Sequence, residues 1–333
     1  MSSRIRTARL ILTILMLVCA VSLPGQQKPQ WVPGQVGMNA GVAPPPGFSY
    51  ANITIDYGAS TFDGSNGKSI PVSGDYKVWA VENVFMYVPQ FKFLGGNLVY
   101  ELVAPTPATG SLVADLVVPA TGSATKLGLN AGGTGIADMY IQPFGLAWHL
   151  KRADVQVGEG LMLPTGRYKP GASDNVGAGY FGNHVTTGST LYLTKNKGTS
   201  ANLFTDWEVH GSRLGTGNTY KTPGQAFTME WGIGQVLPLK KDFTRLLQLG
   251  FVGYDQWQIT DNGGQIPLGP AVVPASTLPY YKVHALGGQV TLIFPKRDLS
   301  LYVKGYHEYS ATYHLLGTNI VFGGAWTLRI PKS

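Results

Sequence analysis

The densest candidates for chemistry are two glycine-rich segments, "GLNAGGTG" (Gly128–Gly135) and "GRYKPGAS" (Gly166–Ser173). A loop that cradles phosphate needs Gly-x-x-x-x-Gly-Lys-Ser/Thr between a strand and a helix, so that amides and a lysine converge on the anion. Gly166 to Gly171 is followed by Ala172 and Ser173, with no lysine in the required place and no helical pattern after it. The earlier segment fails in the same way. Pro164-Thr165-Gly166 and Lys169-Pro170-Gly171 read instead as turns that end a strand.

Histidine and serine offer little more. His149, His184, His210, His284, His307 and His314 show neither His-x-x-x-His nor His-Glu-x-x-His spacing, so no metal site is predicted. Ser212 follows His210 in "VHGSRLG", but a Gly-x-Ser-x-Gly elbow is absent and two neighbouring residues do not make a triad. The only cysteine, Cys19, lies in an apolar N-terminal run, which leaves the rest of the chain without disulfides or thiolate ligands. The expectation is a protein with no catalytic residues, cofactor or metal.

Charges are scarce, 13% of the chain, and their placement is more informative than their number. Asp206, Glu208, Glu230, Lys304, Glu308 and Arg329 each occupy the polar phase of a segment that alternates with period two, as do Tyr254, Gln256 and Tyr306. Alternation at that period puts successive side chains on opposite faces of a strand. The last segment shows it best. Leu316, Thr318, Ile320, Phe322, Gly324, Trp326 and Leu328 share one face, while Leu315, Gly317, Asn319, Val321, Gly323, Ala325 and Thr327 share the other. Leu203, Trp207 and Val209 alternate with Asp206, Glu208 and His210, although Phe204 breaks the pattern. Further strands are expected near 48–57, 76–88, 91–103, 138–149, 152–163, 185–194, 227–234, 244–259, 281–294 and 299–308.

A soluble secreted sandwich would also alternate, but its polar face would carry dense Lys and Glu. Here large apolar residues oppose glycines and small polar residues. That pattern suits a membrane barrel, with apolar side chains on lipid, small and polar ones in the lumen, and no unpaired edges. A charge facing mid-bilayer hydrocarbon costs roughly 2–4 kcal/mol, so the charged positions above are assigned to the lumen. Their roles there are to brace the barrel or to orient a solute. Glu159 departs from the rule, sharing parity with Val155, Val157 and Leu161 unless a bulge at Gly158 or Gly160 turns it inward.

The N-terminus, "MSSRIRTARLILTILMLVCAVSLPGQQ", has three arginines before an apolar run from Leu10 to Leu23. That run is shorter than the ~20 residues of a spanning helix and reads as a secretory signal. The division expected is a signal peptide over 1–25, a Pro/Gly-rich loop or plug-like segment over 26–47, and a barrel of about 12 strands (roughly 10–14) over 48–333. The formal charge of +7 includes Arg4, Arg6 and Arg9 of the leader; the other basic residues are scattered, which excludes a nucleic-acid partner.

The ordered motifs of the middle of the chain resemble a known family. "GTGIADMYIQPFGLAWHL" has Gly135, Asp138, Pro143 and Trp148; "LMLPTGRY" follows, with Pro164, Thr165, Gly166 and Tyr168, then Asn175 and Gly177. "LGFVGYDQWQITDNGG" and "ALGGQVTLIF" continue the series. Over roughly 48–330 the chain is similar to the outer-membrane proteins grouped under the MetA pathway of phenol degradation. The resemblance implies outer-membrane lipid and the barrel-assembly machinery as partners. It also implies passive passage of small hydrophobic or aromatic compounds, which suits the lining inferred from alternation, with Tyr254, Tyr302 and Tyr306 beside Gln256 and Gln258. Many such barrels end on an aromatic residue, whereas this chain ends "LRIPKS", leaving Trp326, Leu328 and Ile330 to serve upstream. The alternatives are a barrel without transport (structural, adhesive or lipid-modifying) and the secreted sandwich.

Overall fold

The computed structural model of the chain describes residues 29–63, 67, 72–120, 123–172, 174–219, 221–268 and 271–329. The expected signal peptide lies outside them. Eighteen strands account for most of the described chain. They are β1 (Gly47–Asp63), β2 (Val72–Val88), β3 (Lys92–Phe93), β4 (Gly96–Leu98), β5 (Tyr100–Pro105), β6 (Pro107–Ala120), β7 (Ser123–Ile136), β8 (Met139–His149) and β9 (Ala153–Leu163). Then follow β10 (Gly182–Tyr192), β11 (Thr199–His210), β12 (Ala226–Pro238), β13 (Leu246–Gln258), β14 (Gln265–Leu268), β15 (Ala271–Pro274), β16 (Lys282–Phe294), β17 (Leu299–Thr312) and β18 (His314–Arg329).

Twelve of these close into one antiparallel barrel, in the order β1, β2, β5, β8, β9, β10, β11, β12, β13, β16, β17, β18 and back to β1. The closing seam is long, running from Gly47 opposite Arg329 to Asp63 opposite His314. Closure leaves the ring without an open edge, as hydrocarbon requires. One strand crosses differently from expectation. The segment 91–103 is not continuous: Leu94 and Gly95 hold positive φ (48° and 75°) and turn the chain between β3 and β4. The wall is made instead by β5, which continues through Thr106 into β6; β2 pairs with β5 over Glu82–Tyr87 and with β6 over Val72–Trp79. Hairpin β6–β7 thus carries the sheet past the closed ring.

Side-chain phase follows the barrel rule. Along β11 the buried positions are Ser200, Asn202, Phe204, Asp206, Glu208 and His210, whereas Leu203 and Trp207 are exposed. On β18, Ile320 and Phe322 are exposed while Asn319 and Val321 are buried. An outward aromatic group, Phe48 on Tyr87 (4.7 Å), Tyr87 on Tyr100 (6.4 Å) and Tyr50 on Phe85 (5.4 Å), sits at one end, where such rings suit a membrane interface. That end also has the short connections 150–152, 193–198, 239–245 and 295–298; the other end carries the long ones, 164–181, 211–225 and 259–281. Glu159 stays on the outer face. The bulge lies across from it, in β8 between Ile141 and Phe144, and Asn183 Nδ2 donates to its carboxylate (3.0 Å).

The core is inside the ring. One buried cluster joins Met38 to Val252, Tyr254, Val283, Ala285, Tyr306 and Ala311; a second joins Ala43 to Val88, Val99 and Ala147. Both include a residue of the Pro/Gly-rich segment before β1, so that segment is part of the interior.

Candidate functional site: a plugged lumen with a cavity beside it

Residues 29–46 run up the lumen as irregular chain. A chain without ladder partners must satisfy its backbone groups elsewhere, and the lumen charges do this. Glu230 accepts from Trp31 Nε1 (3.0 Å), Gly34 N (2.9 Å), Val36 N (2.9 Å) and Gly37 N (3.1 Å). Lys304 Nζ donates to the carbonyls of Gly34 (3.3 Å) and Val36 (3.2 Å), and also to that of Gln35. One stretch of chain therefore wraps a carboxylate with its amides and an ammonium with its carbonyls. The wrap needs glycine: Gly34 and Gly37 have φ of 93° and 62°, in the left-handed region. Hydrogen bonds to charged groups contribute roughly 1.5–3 kcal/mol each, which makes Glu230 the strongest single tie on the plug.

Other ties flank this one. Glu208 accepts from Gln30 N (2.7 Å), Trp31 N (3.2 Å) and His210 Nε2 (3.0 Å). Gln256 Nε2 donates to Trp31 O (3.1 Å), Gln289 Oε1 accepts from Met38 N (3.0 Å), and Asn39 and Gln248 exchange two side-chain bonds of 3.0 Å. Asn319 Nδ2 donates to Pro33 O (2.8 Å). Met38 lies in a notch formed by inward glycines of β12 and β13; a Cβ on Gly234 would lie 2.4 Å from Met38 Cε.

The positions singled out from sequence divide accordingly. Glu208, Glu230, Gln256 and Lys304 are buried and bind the plug. Asp206 is buried and bonds His184 Nδ1 (3.0 Å). Glu308 is buried and accepts from Tyr254 (2.9 Å), Tyr57 (2.8 Å) and Gly317 N (2.7 Å), bracing β13, β1 and β18. Tyr306 is buried with its ring against Tyr254 (5.1 Å) and under Gly34. Arg329 stands opposite Gly47 at the end of the closing seam. Ligand atoms of His184, Asp206 and Glu208 lie within 4.8 Å of one another, a spacing that could hold a cation. Glu208 already accepts three N–H groups there. Ser212 is exposed and bonds Thr222 rather than His210.

The open part of the lumen lies on the other side of the plug. A cavity of about 500 Å³ runs between the plug and the wall of β1, β2, β5 and β8. Its wall is largely apolar, with Ile53, Val78, Ala80, Val84 and Val103, and Glu82 and Glu101 stand among these residues. None of them was among the candidates from sequence. The signal was available in the phase of β2, where the outward Trp79, Phe85 and Tyr87 force Ala80, Glu82, Val84 and Met86 inward. At the short-turn end the cluster of Ala43, Val88, Val99 and Ala147 closes the foot of the cavity.

The long-loop end is framed by the motif residues. Asp138 accepts from Gly166 N (2.8 Å) and Ala178 N (2.6 Å), and Thr165 Oγ1 accepts from Met139 N (3.0 Å). Gly166 and Gly177 touch so closely that a Cβ on Gly166 would lie 2.8 Å from Gly177 Cα. Asn175 bonds Lys169 N (2.7 Å), Lys169 O (2.8 Å) and Ala172 O (3.1 Å). Burial holds the Asp138 carboxyl above its usual range, and the amides of Ala178 and Gly166 offset only part of that rise. Two amides of this loop, those of Gly166 and Ala178, are therefore committed to Asp138, and Asn175 to Ala178 form the rim of the cavity.

The chain superposes with a TM-score of 0.64 and 13% identity on the "COG4313 outer membrane channel from Pseudomonas putida F1", covering 90% of this chain and 100% of that one. The beta domain of the Bordetella autotransporter BrkA aligns more loosely, with a TM-score of 0.47 and 11% identity over 85% of this chain and 100% of that one. No curated protein matches in sequence. The family described as "Putative MetA-pathway of phenol degradation" matches residues 59–322, which takes in the barrel from the end of β1 to the middle of β18 and all the rim motifs, and the chain belongs to that family.

Proposed function

We propose that the protein is a passive outer-membrane channel for small hydrophobic or aromatic compounds, and that the solute travels through the cavity beside the plug. The observation that carries this reading is the cavity itself. At about 500 Å³, with apolar walls and a few polar groups, it has the size and lining of a small-molecule site, for which roughly 300–1,000 Å³ is usual. A water-filled pore for sugars or ions would need a wider, polar lumen, and about 12 strands leave little room beside a plug. The short-turn end faces the periplasm and the long loops face outward, as in barrels of this kind. Export by the leader over 1–25, removal of that leader, and assembly read from Trp326, Leu328 and Ile330 belong to the same proposal.

The experiment is uptake into vesicles. Reconstituted protein is expected to speed entry of a phenol-sized aromatic more than entry of a sugar of similar mass, relative to protein-free vesicles. Equal aromatic uptake with and without protein, or preference for the sugar, contradicts the proposal.

A further inference from the structure

The charge of the cavity is one-sided. Its charged lining residues are Glu82, Glu101 and Asp138, with no lysine, arginine or histidine among the described lining. Asp138 is held by two amides at the rim, but neither Glu82 nor Glu101 accepts a hydrogen bond from any described residue. Lys304, 4.9 Å from the centre of the Tyr302 ring, spends its ammonium on the plug carbonyls. A carboxylate set in an apolar wall without a partner is costly to keep, and a cation that arrives beside it recovers much of that cost.

The two free carboxylates also have a useful spacing. Glu82 stands opposite Pro105 and Glu101 opposite Met86, so they lie four residues apart along one inward face. At about 3.3 Å per residue their backbone positions are on the order of 13 Å apart, and their carboxyl groups still repel one another across that span. Successive weak sites of one sign let a charged solute enter and leave in steps. Around them the aromatic faces of Trp31, Tyr140, Phe204 and Tyr302 line the same space. Such faces attract alkylammonium groups and also accept apolar bodies.

We infer that the cavity selects cationic members of the hydrophobic class: small organic ammonium compounds whose nitrogen pairs in turn with Glu82 and Glu101 while the apolar part slides on the wall. This rests on the reading that the cavity is the solute path. Organic anions of the same size meet two unpartnered acidic groups and no basic residue in the described lining, and are disfavoured.

The test uses permanently charged aromatics, which do not cross lipid unaided. Vesicles containing the full-length mature protein are offered benzyltrimethylammonium, benzenesulfonate and neutral benzyl alcohol. The cation is expected to enter at least tenfold faster than the anion. The double substitution Glu82→Gln and Glu101→Gln is expected to bring that ratio to within twofold of one. A wild-type ratio near or below one overturns the inference without recourse to any variant, as does a ratio that the double substitution leaves unchanged in correctly assembled protein. Benzyl alcohol separates the two readings. If the protein accelerates it but shows no cation preference, the inference about charge fails alone. If none of the three is accelerated, the path itself is wrong.

Discussion

Glu230 shows how much one side chain can hold. Its two oxygens accept four N–H groups of the plug, and no water need intervene. Glu230→Gln keeps the shape but replaces one acceptor with a donor pointed at donors. Losing part of a buried, charge-assisted set costs roughly 2–5 kcal/mol, so the plug is expected to leave its seat while the barrel stays assembled. Chymotrypsin cleavage at Trp31 should then become fast in the variant and remain slow in the wild type; equal rates would mean that Glu230 does not secure the plug. Asp138 does comparable work at the rim. Asp138→Ala leaves the amides of Gly166 and Ala178 without their acceptor. Hydrogen exchange at those two amides is expected to rise at least tenfold, and unchanged exchange would show that the loop is held by other contacts.

Some of this was legible residue by residue and some was not. Alternation put Glu208, Glu230 and Lys304 inside because a charge on lipid is too expensive, but alternation does not say what a buried charge binds. Their partners lie 177 to 270 residues away in sequence, and a segment of Pro and Gly has no periodicity to announce where it docks. Phe204 was the hint. It breaks the pattern of β11 by being large and apolar on the inner face, and it does so because its ring stacks on Trp31 of the plug, 5.0 Å away.

At the scale of elements, the barrel and the plug separate cleanly. The β1–β18 seam begins at Gly47, after the last plug residue, so removing residues 30–44 leaves every strand pair in place. That deletion is expected to give correctly assembled barrels with a several-fold larger ion conductance in planar bilayers; an unchanged conductance would show that the plug is not what narrows the lumen. Strand orientation has its own test. Phe322 is on the lipid face of β18, where arginine costs roughly 2–4 kcal/mol near mid-bilayer. Phe322→Arg should abolish heat-modifiable migration, whereas Asn319→Ala, which removes only a plug contact, should preserve it; the reverse result would invert the barrel's faces. The strands of the ring were the most readable elements because each alternates on its own. Hairpin β6–β7 was not, since Leu112-Val113 and Leu116-Val117-Val118 put apolar residues on both phases and small residues fill most of the rest. The segment 91–103 misled for a different reason: its apolar content suits a strand, but a turn through Leu94 and Gly95 divides it.

At the scale of the molecule, the plug seals the half of the lumen bounded by β10 to β18 and leaves the half bounded by β1, β2, β5 and β8 apolar and partly empty. The narrow, sided cavity follows from strand count and plug together, which is why a list of lumen-facing residues alone could not locate it. Every conclusion about transport depends on that cavity being the route. Ala80 faces it from the middle of β2, and Ala80→Trp would obstruct it from a strand that carries none of the plug's ties to Glu230 and Lys304. The decisive measurement is uptake of a phenol-sized aromatic by vesicles carrying equal amounts of assembled wild-type or Ala80→Trp protein. The variant is expected to lose at least nine-tenths of the protein-dependent flux. Undiminished flux through an assembled variant would contradict it and move the path elsewhere in the barrel.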